Sequence, residues 1–359
     1  MKTVGTLSAH ELLNESYEPV TPAQRVELLK RAADIADAEN DLDLAFQIRT
    51  RLVHATFDVP GSIDQLTHFS WLVARHDEEP ERFPLQLWYY KWVAGGLPQL
   101  PEISRHKVSS MIDDLERRFE KKGTSNAPAL KLRMYAAMNF GEPDEVLRYR
   151  RLWQAELKKG WVWLNDCSTC DEAAVVSSLL FAGEDRRALA KARYLIDGTS
   201  SCAHQPQITL SRLIAPARRT GDNSSATSFR KRSFRVMRND PVYFNTMHNF
   251  VRDSYLQGDH SRAFELIGKY LPWSEETDQT PRAQLDFAAA ARLVILRRRH
   301  LGRPTADCLA DPRLGGRSAE EVANVLVAQA EHLAERFDSR NGNNWFANIL
   351  AADLEHACR

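Results

Sequence analysis

The sequence predicts an all-α chain, an α-solenoid of stacked helical hairpins, and three observations predict it. Apolar residues recur with the 3.6-residue period of an amphipathic helix in one segment after another; in 26–40, Leu28, Leu29, Ala32, Ala33, Ile35 and Ala36 form a single stripe. Runs with the two-residue alternation and β-branched enrichment of a strand are nearly absent, the best candidate being the short WVWL at 161–164. The turns are ordered: GEPDEV (141–146), GEDRRA (183–188), GDNSSA (221–226) and GDHSRA (258–263) each place a small or apolar residue five after a glycine, at intervals of 42, 38 and 37 residues. A period in that range with a helix–turn–helix in each unit is the mark of an α-solenoid.

The elements follow in order. Segments 26–40 and 41–55 form a first hairpin about NDLDLA (40–45), where Asn40 stands in for the glycine. Glycine or asparagine lets a helix end in the left-handed region, and the neighbouring Asp or Ser can cap the helix that follows. A small residue on the first turn of that second helix lets the two helices approach closely. Between 58 and 125 the prolines enforce short helices, and Trp71, Trp88, Tyr89, Tyr90 and Trp92 supply inter-helix core. Helical patterns resume at 111–123 and 128–141 and run through the ordered turns to 275. A linker about 274–284 precedes long helices at 282–302 and 318–339, and the segment 341–357, after the turn Asn341-Gly342, caps the array; the helical tail from 318 to 357 either caps it or folds back across it. The division expected is 1–125 irregular hairpins, 126–275 repeats and 276–359 capping helices in one continuous array.

With Gly183/Ala188, Gly221/Ala226 and Gly258/Ala263, and more loosely Gly141/Val146 and Asn40/Ala45, the chain resembles the tetratricopeptide-repeat (TPR) family over about 127–275 and 22–57. Its units are longer than the family's and mostly lack the aromatic signature of the first helix, so the fold expected is TPR-like. The wider pattern of WLNDCSTC, CAHQP and FDSRNGN is similar to bacterial repeat proteins of unassigned function. The resemblance implies that the first helix of each unit lines a concave groove that binds a protein or peptide. One subclass of the family grips a C-terminal carboxylate with a Lys and an Asn one turn apart; the corresponding pairs here are Lys30/Asp34, Lys131/Tyr135, Ser211/Ala215 and His248/Arg252, and none matches.

Placed on those repeats, two cysteine motifs converge. Cys167 and Cys170 lie at the start of the helix that ends at Gly183, and Cys202 and His204 lie just before the equivalent helix of the next unit. Neighbouring first helices packed roughly 10 Å apart bring both motifs to one end, the arrangement a Cys₃His structural zinc needs. The positive end of a helix also favours thiolates. Packed free thiols and a redox pair or disulfide are the alternatives; no βαβ context of the thioredoxin type accompanies the C-x-x-C. Asp166 and Asp171 flank the pair as helix caps, with Asp166 a reserve ligand.

On the segment 241–258 the residues Asn245, His248, Asn249, Arg252 and Tyr255 share one face, with Phe244, Met247, Val251 and Ser254 opposite. That polar face is the candidate ligand groove, to which the preceding unit adds Ser211, Arg212 and Arg218. The whole chain is neutral, with 48 basic and 48 acidic residues, so charge recommends neither nucleic acid nor an anionic membrane. Locally, 218–238 carries seven Lys or Arg against one Asp, and Arg297–Arg299 end another helix. The first stretch suits a solvated face or an acidic or phosphate-bearing partner; few stacking aromatics interleave it, which argues against nucleic acid. No glycine-rich phosphate loop, H-E-x-x-H or G-x-S-x-G elbow is present, and no catalytic residues are assigned. No signal-peptide core or membrane-length apolar run occurs, and five cysteines are sparse for a disulfide framework, so a cytoplasmic, reducing compartment is expected. The functions expected are a binding scaffold, a peptide-sensing regulator on the same array, or a thiol- or zinc-dependent enzyme centred on the cysteines. No cofactor other than structural zinc is implied.

Overall fold

The structure is a computed structural model that describes residues 7–58, 64–160, 163–276, 279–305, 309 and 316–358. Among these residues every regular element is helical. Trp163 and Leu164, the described half of the strand candidate, lie in a turn; 161 and 162 fall outside the described residues. No helix among the described residues is long and apolar enough to cross a membrane. The chain divides into two compact units, Met1–Gly96 and Leu97–Arg359.

The first unit contains α1 (Ala9–Glu15), α2 (Pro22–Ala38), α3 (Leu42–Ala55), α4 (Asp64–Glu78) and α5 (Leu87–Gly96). α2 and α3 form the hairpin the sequence predicts: Leu29, Ala32, Ala33 and Ala36 close on Leu44, Ala45, Ile48 and Leu52. Asn40 takes a left-handed φ of 55° at the turn, and the Asp41 carboxylate caps α3 by accepting from the Leu44 N–H at 3.0 Å. Of the aromatics, Phe69 and Tyr90 are core, whereas Trp92 is 47% exposed.

The second unit begins with α6 (Arg105–Lys121), α7 (Ala127–Phe140), α8 (Pro143–Leu157), α9 (Ser168–Phe181), α10 (Asp185–Lys191), α11 (Arg193–Ile196), α12 (Gln207–Arg219) and α13 (Asn223–Met237). It continues with α14 (Phe244–Leu256), α15 (His260–Glu276), α16 (Pro281–His300), α17 (Ala319–Asn341) and α18 (Trp345–Ala357). α7/α8, α9/α10, α12/α13 and α14/α15 pair as hairpins, and their first helices pack side by side in chain order up to α16. The ordered turns explain that register. Gly141, Gly183, Gly221 and Gly258 have φ between 74° and 88°, a region costly for any residue with a Cβ. Five positions on, Val146, Ala188, Ala226 and Ala263 are fully buried where each hairpin closes.

The C-terminal helices fold back onto the start of this unit. The Arg340 guanidinium donates to the carbonyls of Pro98, Leu100 and Ile103 at 3.1–3.3 Å. The side-chain amides of Asn341 and Asn343 donate to the carbonyls of Asn139 and Phe140 at 3.0 and 2.7 Å, where α7 ends. Asp338 accepts from the N–H groups of Phe346 and Ala347 and so caps α18. Trp345 stacks on Phe181 of α9 at 5.0 Å, and it fits over Gly141 so closely that a Cβ there would overlap the indole.

Candidate metal centre and the polar face of the first helices

Three sulfur atoms converge between α9 and the loop that enters α12. Cys167 is the N-cap residue of α9, and Cys170 sits in its first turn. The Cys202 N–H donates to the Gln205 carbonyl at 3.0 Å and the Gln205 N–H returns to the Cys202 carbonyl at 3.3 Å, a tight turn that holds Cys202 in place. Thr169 meets Ser200 through their hydroxyls at 2.8 Å and ties the helix to that loop. All three sulfurs lie within 4.8 Å of one another, and Cys170 and Cys202 are 3.6 Å apart. Tetrahedral zinc with Zn–S bonds of about 2.3 Å spaces its sulfurs roughly 3.8 Å apart. Small side-chain adjustments therefore suffice, and the three cysteines could hold a metal ion.

Their protonation is uneven. Burial raises the Cys170 thiol, and the neighbouring sulfurs of Cys167 and Cys202 raise it further. Burial acts the same way on Cys202, but the backbone N–H groups of His204 and Gln205 and the two thiols stabilise its thiolate and lower it on balance. Of these two, Cys202 is the sulfur better prepared to carry charge.

The predicted fourth ligand is placed elsewhere. The imidazole of His204 is not among the groups within 4.8 Å of the sulfurs; His204 is exposed, and its ring meets Tyr243 edge-on at 6.0 Å. The turn that aims the 204 and 205 N–H groups at Cys202 carries the 204 side chain outward. Asp166, the reserve, accepts from Lys131 Nζ at 2.7 Å, as Asp171 does at 2.6 Å. Lys131 is 5% exposed on α7. Burial disfavours its charge, but Tyr135, Asp166 and Asp171 outweigh that and raise its pKa. The ammonium therefore fastens the cysteine loop to the preceding hairpin. The sequence singled out Lys131 and Tyr135 only as a failed carboxylate clamp. Their one-turn spacing on a first helix was the signal that they face the next unit.

A polar cluster continues from there across the first helices. Tyr135 on α7 is half-buried, and desolvation raises its pKa. Arg212 on α12 donates to the Ser177 hydroxyl of α9 at 3.0 Å. It is exposed to solvent, and desolvation by the surrounding protein lowers its pKa. Among the described residues no carboxylate pairs with it. His248 on α14 is driven down to about 4 by burial, with Arg252, Arg212 and Arg282 acting in the same direction and Asp286 against them. His248 Nδ1 and Asn249 Nδ2 are buried with no hydrogen-bond partner among the described residues. Asn245 is exposed.

Three predicted groove residues are engaged within the chain. Arg252 makes a two-pronged pair with Asp353 of α18 at 2.8 and 2.7 Å. Tyr255 is buried, and its hydroxyl lies 3.2 Å from His356 Nδ1. Arg218 and Arg230 both bind the Asp253 carboxylate, which is 1% exposed. Much of the basic stretch has the same role: Arg219 pairs with Asp185 and Arg232 donates to the Ile196 carbonyl at 2.6 Å. These cations join one hairpin to the next. Arg282, Asp286 and Asp353 escaped sequence reasoning because their part in the cluster depends on α16 and α18 packing back over α14. Cys358 is exposed, and Cys308 lies outside the described residues. A separate concavity of about 690 Å³ lies along another face of α18, lined by Leu350, Ala351 and Leu354 with Ala334, Glu331 and Glu335 of α17. No family model and no curated protein matches the chain.

Proposed function

We propose that this chain is a protein- or peptide-binding module, a TPR-like α-solenoid whose first helices present a polar groove to an acidic partner. The observation that carries the reading is Arg212: a solvent-exposed guanidinium on a first helix, with a serine hydroxyl rather than a carboxylate against it. A hydrogen bond from this guanidinium to a partner carboxylate is charge-assisted and stronger than one between neutral groups. His248, neutral at pH 7, and exposed Asn245 flank it with groups that recognise without adding charge. Zinc on Cys167, Cys170 and Cys202 would staple the α9/α10 hairpin to the loop entering α12, a structural role for the metal.

Arg212→Ala is the informative variant, because Arg252 also anchors α18 and its loss would disturb the fold. The full chain and the variant are screened against one array of acidic, neutral and basic peptides. The expected result is selection of acidic peptides by the wild type and their loss in Arg212→Ala at an unchanged circular dichroism melt. Equal binding by both proteins, or no preference for acidic peptides, would sink the reading.

A further inference from the structure

The ligand set of the cysteine cluster has a consequence that a purely structural staple does not. Structural zinc sites take four protein ligands and are closed; sites with three protein ligands keep a position for water or another exchangeable donor. Here three sulfurs meet, and among the described residues no fourth His, Cys, Asp or Glu ligand atom joins them within 4.8 Å. His204 faces Tyr243. Asp166 and Asp171 are fastened to Lys131. Cys167 is exposed and Cys170 and Cys202 are partly so, which leaves one side of the cluster facing solvent.

We propose that Cys167, Cys170 and Cys202 bind a thiophilic divalent ion through three thiolates and leave its fourth position open to an exchangeable neutral donor. The inference rests on the metal reading above and changes its meaning, since the ion becomes a binding site as well as a clasp. Charge selects the donor. Three thiolates on a divalent ion already leave a net negative centre, and Lys131, the nearby ammonium, is committed to Asp166 and Asp171. Water or an imidazole adds no further charge, so those are the ligands the open position takes. The soft, all-sulfur donor set favours zinc among the common divalent ions over magnesium or calcium.

The experiment loads the full chain with zinc for X-ray absorption and with cobalt(II) for visible spectroscopy, in the wild type, His204→Ala and Cys170→Ser. One ion per chain is expected, bound by three sulfurs and one light atom. His204→Ala should leave the spectra unchanged. Added imidazole should shift the cobalt bands saturably in both proteins. Cys170→Ser should lose more affinity than the roughly 10–100-fold typical of an outer-shell partner. If the wild type gives no response to imidazole and His204→Ala gains one, the site is closed by the chain and the inference fails while the metal reading stands. If the wild type takes up neither ion, the metal reading itself fails. Circular dichroism of each variant separates loss of ligation from loss of fold.

Discussion

His248 sits where one carboxylate and three guanidiniums contend over its charge, and burial decides against the cation. Asp286 favours protonation, while Arg252, Arg212 and Arg282 join desolvation in opposing it, so its pKa falls from 6.5 to about 4. The sign of the consequence follows from linkage. In the unfolded chain the imidazole binds a proton as pH drops below 6.5, and in the fold it does not until near 4. Stability supplied by the neutral histidine is therefore complete above about pH 6.5 and is lost as pH falls toward 4, by at most about 1.4 kcal/mol per pH unit. Urea melts of the wild type and His248→Gln across that range should converge as the pH drops, because the variant lacks this dependence. Parallel curves would show that His248 titrates in the fold as it does in the open chain.

At the scale of the helix pair, the arginines of α12 and α13 differ in what they do although the sequence presents them as one basic stretch. Asp253 is 1% exposed and is held by both Arg218 and Arg230, so Asp253→Ala leaves two partly buried cations without their carboxylate. Breaking such a buried pair costs about 3–5 kcal/mol, and the lower end is expected because the Arg230 side chain is 23% exposed and can reach water. Arg219 is 59% exposed in its pair with Asp185, and Asp185→Ala should cost less than about 1 kcal/mol. Denaturant melts of the two variants decide between buried linkage and general charge compensation: equal losses would refute the distinction. The hairpins themselves were legible from single residues. A left-handed turn and a buried alanine five positions later are local requirements, so Gly183/Ala188, Gly221/Ala226 and Gly258/Ala263 announce them without knowledge of the rest of the chain. Which arginine faces a neighbouring hairpin depends on helix rotation and packing, and composition carries no record of that.

Across the whole molecule, legibility falls with sequence separation. Cys167, Cys170 and Cys202 could be brought together on paper because adjacent repeats were enough to do it. For the tail the sequence offered a cap or a return across the array and could not choose, since the return of α17 and α18 rests on pairs such as Arg340 with Pro98 and Asn341 with Asn139, whose polar side chains look like any solvated helix end until their carbonyl partners are known. That return has a thermodynamic implication. The unit Leu97–Arg359 encloses the core that runs from Ala173 to Ala357 and the smaller core about Trp153 and Met134. Its first turn and last helices are joined by those same hydrogen bonds, while Leu29, Ile48 and their neighbours form a core of their own in Met1–Gly96. A chain beginning at Leu97 should therefore fold alone with one cooperative melt and retain the metal stoichiometry of the full protein, because each thiol and every described contact of Lys131 with Asp166 and Asp171 lies within it. Removing residues 345–358 from that fragment should lower its melting temperature, since the removal uncovers Phe181, Gly141 and the Arg252 guanidinium together. An unfolded 97–359 fragment would show that the second unit's core is not sufficient, and an unchanged melt after the deletion would show that the returning helix contributes contacts without stability.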